Sequence, residues 1–328
     1  MCNLVKFNKI IIVFFLLIYL IGCSGLGIKS IPLEKLENKY FNNASKYKKL
    51  KQDKQHLINK EHLINRVHIR DEGYKNKPVL FLIHGIVSAL QTWDGWVREL
   101  KKDFRIVRLD LPGFGLTGPS ANKKYSKEIW VETINNLAER LEIKHFSIAG
   151  NSLGGYVAWN YAIRYPDKIE KLILIDPIGY PQKMPFTLWF FSLPVFGEIG
   201  KLIIPRFIFA HNVSQVYGDQ TKVTKEVIDF YYDMALRPGA IEAYITIFRL
   251  LRSRANDVNI SQGIKEINCP TLLMWGNKDK WIPIELLKNW TKDLPHAKIK
   301  IYDGVGHVPM EEISKQTAKD AKLFLINN

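Results

Sequence analysis

Six short apolar runs punctuate the chain: Val79–Ile83, Arg105–Leu109, Phe146–Ala149, Lys171–Ile175, Thr271–Trp275 and Lys298–Tyr302. Each has the length and β-branched content of a strand buried on both faces. Between them, Trp130–Leu141 and Tyr156–Tyr165 carry helical spacing. Alternation of this kind predicts an α/β fold, a mostly parallel sheet with helices on both faces. Upstream, His56–Asn59 and Leu63–Arg70 predict an antiparallel hairpin at the sheet edge; the repeated HLIN at 56–59 and 62–65 is too short to mark a repeat architecture. The alternation stops after Asp176 and resumes near Cys269. Residues 178–268 are aromatic-rich and read as helical over Lys183–Phe196 and Val223–Arg254, so they form an insertion capping the core of 55–177 and 269–328. A cap at the carboxyl ends of the strands would cover the crevice where such sheets bind ligands.

The amino terminus has a different pattern. Lys6 and Lys9 precede an unbroken apolar run of twelve residues, Ile10 to Ile21. That is short for a transmembrane helix, which needs about 20 residues. Basic start, short apolar core and a small residue at the break describe an export signal over 1–22. The run ends Leu20-Ile21-Gly22-Cys23, which resembles the bacterial lipobox. The resemblance implies lipid attachment at Cys23, cleavage just before it, and an envelope location. With Ser24 rather than Asp next, sorting in a two-membrane bacterium would favour the outer membrane.

Composition is that of a globular chain, 47% hydrophobic and 24% charged. The net charge of +15 raises nucleic acid or an anionic membrane as partner. Its distribution decides between them. The signal holds two of these charges; residues 23–77 carry 13 basic against 6 acidic, and 78–328 carry 32 against 26. The excess is densest over Lys46–Lys54, so residues 23–54 read as a basic tether lying near anionic lipid. No stacking aromatics or nucleic-acid fold accompany it, and no nucleic-acid partner is expected. Of the three cysteines, Cys2 would leave with the signal and Cys23 would be acylated, which leaves Cys269 alone as a buried, inert thiol.

The chemistry concentrates at Gly150-Asn151-Ser152-Leu153-Gly154, which follows a strand and opens a helix. That is the context of a nucleophile elbow, where a tight turn lifts a serine hydroxyl clear of the sheet. A serine needs a base, and the base an orienting carboxylate. His307 in GVGH lies just beyond the last strand; Asp279 in WGNKD lies just beyond the preceding one. Asp176 also ends a strand and rivals Asp279 for the acid. The remaining histidines precede strand ends or sit in the insertion and turns. The oxyanion donors are expected from the backbone N–H groups of Leu153 and Ile86, with His84 pinning the loop that carries Ile86.

The stretches LFLIHG, RLDLPGFGLT, GNSLGGY, LILIDP, LLMWGNKDKWIP and GVGHVPMEE resemble the α/β-hydrolase fold superfamily over about residues 55–328, the cap apart. The resemblance implies an eight-stranded sheet, a Ser152–His307–Asp279 triad, and attack on a carbonyl through an acyl-enzyme with no cofactor or metal. Serine at the elbow separates this chain from related dehalogenases and epoxide hydrolases, which carry Asp there. GNSLGG also resembles hydrolases of carbon–carbon bonds in ring-fission products, but these tend to have Trp after the histidine, where this chain has Val308. The expectation is therefore a carboxylesterase or lipase acting on a small or lipidic ester. A carbon–carbon bond hydrolase and a non-catalytic binding lipoprotein are the alternatives. Met184 to Phe191 supplies six large apolar side chains in eight residues, either to line an acyl pocket or to pack the cap.

Overall fold

The computed structural model describes residues 30–50 and 66–327. The signal, Cys23 and His56–Asn59 of the expected hairpin lie outside these residues.

Eight strands make one sheet: β1 (Ser45–Lys49), β2 (Arg66–Glu72), β3 (Val79–Ile83), β4 (Arg105–Leu109), β5 (Phe146–Asn151), β6 (Ile169–Ile175), β7 (Thr271–Gly276) and β8 (Lys298–Tyr302). Their order is β1-β2-β4-β3-β5-β6-β7-β8. Only β2 runs against the rest, pairing antiparallel with β1 and β4. The central strands β3 and β5 are apolar on both faces and almost wholly buried, as continuous apolar runs require. On the far edge Lys298 and Lys300 keep β8 charged, a guard against edge-to-edge pairing.

Helices cover this sheet. α2 (Asp94–Leu100) packs on α12 (Ser314–Ile326), and α3 (Lys127–Arg140) packs on α4 (Leu153–Arg164). α3 shows why the pattern is helical: the Ser126 hydroxyl accepts from Ile129 N–H at 3.4 Å as its N-cap, and Trp130, Ile134, Leu137 and Ala138 form one buried stripe. Two short helices complete the core, α10 (Leu287–Asp293) and α11 (Pro309–Glu312). Between β6 and β7 come five helices, α5 (Phe186–Ser192), α6 (Pro194–Leu202), α7 (Arg206–Val216), α8 (Lys225–Ala235) and α9 (Ala240–Arg254). Cys269, just before β7, is half-buried, and burial pushes its thiol up.

The amino-terminal segment corrects the expectation of a tether. Residues 33–40 form a helix, α1 (Leu33–Tyr40), and Ser45–Lys49 is the outermost strand, paired with β2. Three of the lysines read as tether charge, Lys46, Lys48 and Lys49, therefore stand on a sheet edge. The segment is held by specific bonds. Arg70 donates to the Tyr40 carbonyl at 2.5 Å and to Ser45 Oγ at 3.0 Å, and the His68 ring stacks on Phe41 at 5.0 Å. Leu36 is buried with Leu116 of the core and Met234 of α8, while Lys39 and Tyr40 both donate to Asp233. A buried His68–Asp110 pair, 2.7 Å apart, anchors this corner; Asp110 also accepts from the Leu90 and Leu116 N–H groups, both at 2.7 Å.

The anchoring of α1 makes a stability prediction. Leu36→Ala should cost about 2–4 kcal/mol through the lost contacts and the cavity left behind. The midpoint of urea unfolding reads it, and a free tether would show no shift.

Candidate active site

Ser152 sits between β5 and α4 with φ 56° and ψ −117°, a left-handed conformation for a residue with a side chain. Holding it there costs on the order of 1–3 kcal/mol, which the surroundings must offset. They do so by crowding. A Cβ on Gly150 would strike the Gly154 carbonyl, and one on Gly154 would strike the carbonyls of Ile83 and His84 at the end of β3. A Cβ on Gly155 would come within 2.8 Å of Pro177 beyond β6. The turn is also pinned by hydrogen bonds, Ser152 N–H to the Ile175 carbonyl at 3.0 Å and Ile178 N–H to the Ser152 carbonyl at 3.2 Å.

The loop after β3 lies directly against this turn. Fully buried His84 accepts from Leu111 N–H at Nε2, 2.9 Å, so its proton is on Nδ1 and is donated to the Gly85 carbonyl at 2.7 Å. Burial depresses the His84 basicity and keeps the ring neutral. It pins the loop as the sequence suggested. A Cβ at Gly85 would sit 3.3 Å from that of Ser152. Among the described residues no acceptor takes the N–H of Ile86, nor that of Leu153, the first residue of α4. Both flank Ser152. Val87 next door has φ 56°, a second strained residue at the same place.

His307 and Asp279 meet as expected. His307 Nδ1 lies 2.6 Å from Asp279 Oδ2, both side chains buried. The other oxygen, Oδ1, accepts from Trp281 N–H at 2.7 Å and Ile282 N–H at 3.0 Å. Three donors thus converge on one carboxylate. The two loops are laced together: Lys278 N–H donates to the Val305 carbonyl, and Asn277 joins Asp303 and Gly304 through its side chain.

Asp176, the rival, lies behind this pair and is not the carboxylate bonded to His307. It is fully buried, takes one bond from Gly276 N–H at 3.0 Å, and leaves Oδ2 without a donor. Burial first, and the neighbouring Asp279 charge second, push its carboxyl well above the usual range, so it is neutral.

Three residues of the site were invisible to the motif reading. Asn151 Nδ2 donates to the His307 carbonyl at 2.9 Å and the Ile175 carbonyl at 3.2 Å, tying the elbow to the histidine loop. Glu312 accepts from Gly306 N–H at 2.9 Å and from the cap's Gly218 and Asp219 N–H groups at 3.0 and 2.8 Å. Trp281 lies 5.6 Å from the His307 ring, centroid to centroid.

Two apolar chambers diverge from Ser152, divided by Ile86 and Trp281, which border both. One is walled by Ile178, Met184, Leu188 and Leu251, with Arg254 also on its lining. The other holds His307 and is walled by Phe209, Val213, Tyr231 and Val308. The 184–191 run is divided accordingly. Met184 and Leu188 line a chamber, Phe191 packs in the cap, and Phe186 and Trp189 face outward.

Residues 78–312 match the alpha/beta hydrolase fold family, and the chain belongs to it. It is 28% identical over 238 residues to a 2-hydroxymuconate semialdehyde hydrolase of Pseudomonas sp. strain CF600, covering 70% of this chain and 80% of that one. It is 26% identical over 257 residues to a monoacylglycerol lipase of Xenopus laevis, covering 76% of each. Among solved structures, a bacterial membrane phospholipase A superposes with a TM-score of 0.70 at 23% identity, over 98% of this chain and 97% of that one, a likeness of fold. The protein is thus a hydrolase of this fold.

The paired carboxylates give a signed prediction. A carboxyl raised above its unfolded value binds more protons folded than unfolded, so its burden on stability grows as pH rises above the ordinary carboxyl range. Asp176→Asn keeps the acceptor for Gly276 and removes that burden. Its stability relative to the parent should rise from pH 4 toward pH 8, by at most about 1.4 kcal/mol per unit. Thermal unfolding across this range reads it, and a constant difference would contradict a neutral Asp176.

Proposed function

We propose that this protein is a serine hydrolase of carboxylic esters, held at the bacterial cell envelope by a lipid on Cys23. The observation that carries the chemistry is Ser152, on a strained elbow where two apolar chambers meet, with the buried His307–Asp279 pair on the wall of one of them. In this reading Ser152 Oγ attacks the ester carbonyl while His307 takes its proton, and Asp279 holds the imidazole and stabilises its charged form. The N–H groups of Ile86 and Leu153 receive the oxyanion. His307 then protonates the departing alcohol, and water, activated by the same histidine, clears the acyl-enzyme.

Two chambers suit the two halves of an ester, and their apolar walls favour a medium or long acyl chain. The monoacylglycerol lipase relative supports this substrate class. The similarity to the 2-hydroxymuconate semialdehyde hydrolase supports a second reading, carbon–carbon bond hydrolysis by the same serine. Val308 after the histidine favours the ester. Lipidation, and the outer membrane as destination in a two-membrane bacterium, rest on Leu20 to Ser24, and Cys23→Ala should abolish incorporation of labelled palmitate and leave precursor uncut.

The deciding experiment is a panel of esters graded in acyl length, alongside a ring-fission substrate. Ester turnover should increase beyond acetate, and Ser152→Ala should lower it by about 10⁴-fold or more while losing labelling by a fluorophosphonate. Retention of most activity in the variant would remove Ser152 as nucleophile. Preference for the ring-fission product would select the second reading, and no turnover or labelling of the parent would leave a binding protein.

A further inference from the structure

α6 is built inside out. The residues it buries are glycines: Gly197 and Gly200 press onto Phe191 of α5 and Ile245 of α9, too close for any side chain. Its large apolar residues turn to the outside, with Val195 67% exposed, Ile199 52% and Leu202 72%, at the i, i+4, i+7 spacing of one helix face. On neighbouring α5, Phe186 is 71% and Trp189 43% exposed. Ring contacts join the two helices into one surface: Phe186 with Trp189 and Phe190 at 5.9 Å, and Phe190 with Phe196 at 4.1 Å. A soluble surface rarely presents this much contiguous apolar area without something to cover it.

We propose that this face of α5 and α6 docks into the interface of a lipid bilayer, so that the Met184–Leu188 chamber receives its acyl chain from the membrane side. The geometry of α5 is the link: Leu188 lines the chamber while Phe186 and Trp189, on the same helix, form the outer face. Charge permits the approach. Glu198 is the one acid between residues 183 and 207, and Lys201 and Arg249 neutralise it at 2.8 and 3.1 Å. The first described residues are bonded to the same cap. Ile31 donates to the Leu236 carbonyl at the end of α8 in the cap, and the apolar run 10–21 and Cys23 precede it by few residues. A membrane-held amino terminus would therefore bring the cap, rather than the far side of the sheet, toward lipid. The proposal rests on the anchored-esterase reading for its orientation and its substrate.

The test uses the full chain in vesicles of phosphatidylcholine and phosphatidylglycerol with brominated acyl chains. Trp189 is exposed, Trp281 is half-buried on the wall of the chambers, and Trp93, Trp96, Trp130, Trp159, Trp275 and Trp290 are fully buried, so docking of the face should quench mainly Trp189, with Trp281 reached only by an acyl chain inside a chamber. Trp189→Phe should remove most of the bromine-dependent quenching. The double variant Ile199→Ser, Leu202→Ser should lower turnover of a vesicle-borne long-chain ester by about tenfold and leave a water-soluble butyrate ester unchanged. An unquenched parent, or quenching that Trp189→Phe does not diminish, overturns the proposal. So does a double variant that keeps its quenching but changes from oligomer to monomer in detergent, which would assign the face to a second copy of the chain. If neither ester is hydrolysed by the parent, the esterase reading fails while the quenching still decides the docking.

Discussion

The site depends on how closely one turn can approach its neighbours. The junction of β5 and α4 touches the end of β3 on one side and the chain beyond β6 on the other. At those contacts only glycine fits, because any Cβ at 150 or 154 would collide with backbone carbonyls. The crowding does two things. It forces Ser152 into a conformation it would not choose, and it brings Gly85 within a few ångströms of the serine, so that Ile86, whose N–H has no acceptor among the described residues, borders the same two chambers as Ser152. Nucleophile and proposed oxyanion donors are thus one steric feature. Strain at Ser152 and Val87 is bearable because the parallel sheet on either side is fully buried and cannot relax.

The electrostatics follow from the same edge of the sheet. Three parallel strands end side by side; one delivers His307, the next the carboxylate bonded to it, and the third a second carboxylate beside the first. Two neighbouring buried carboxylates do not both ionise. What separates them is the supply of donors. Asp279 has two backbone N–H groups and the imidazole; Asp176 has one N–H. The carboxylate with the fewer donors, Asp176, is the one held neutral.

This explains what the sequence made legible. Strands in the middle of a parallel sheet are apolar throughout and bracketed by turns, so β3 to β7 stand out, whereas β8 (KIKIY) is an edge strand with four of its five residues exposed rather than buried on both faces; the serine and histidine lie at strand ends. The identity of the acid was readable only as a choice of two, because donor count is a property of loop geometry. Asn151 and Glu312 escaped for a similar reason: each binds at least one backbone group more than 80 residues away, His307 for the one and Gly218 and Asp219 for the other, which no local pattern announces. The largest misreading was at the amino terminus. SKYKK is an edge strand whose exposed face needs no apolar residues, and its lysines resemble a solvated leash. Only the bonds from Arg70 and the burial of Leu36 reveal it as part of the domain.

The cap is held to the core in two different ways, and this divides the work of its helices. The connection from α7 to α8 is bonded to the histidine loop itself: His307 N–H donates to the Val216 carbonyl at 2.7 Å, Glu312 takes Gly218 and Asp219, and half-buried Glu311 takes the hydroxyls of Tyr217 and Tyr231. Moving this part would drag His307 with it. α5 and α6 carry no such bonds to the catalytic loops. They rest on α9 through apolar contacts and close glycine packing, which yield at far lower cost than a buried hydrogen-bond network. A long acyl chain entering past α5 would therefore leave the proposed triad undisturbed, whereas entry past α8 would break the bonds that aim its base. The same rigid half that orients the chemistry confines access to the half whose outer surface is apolar.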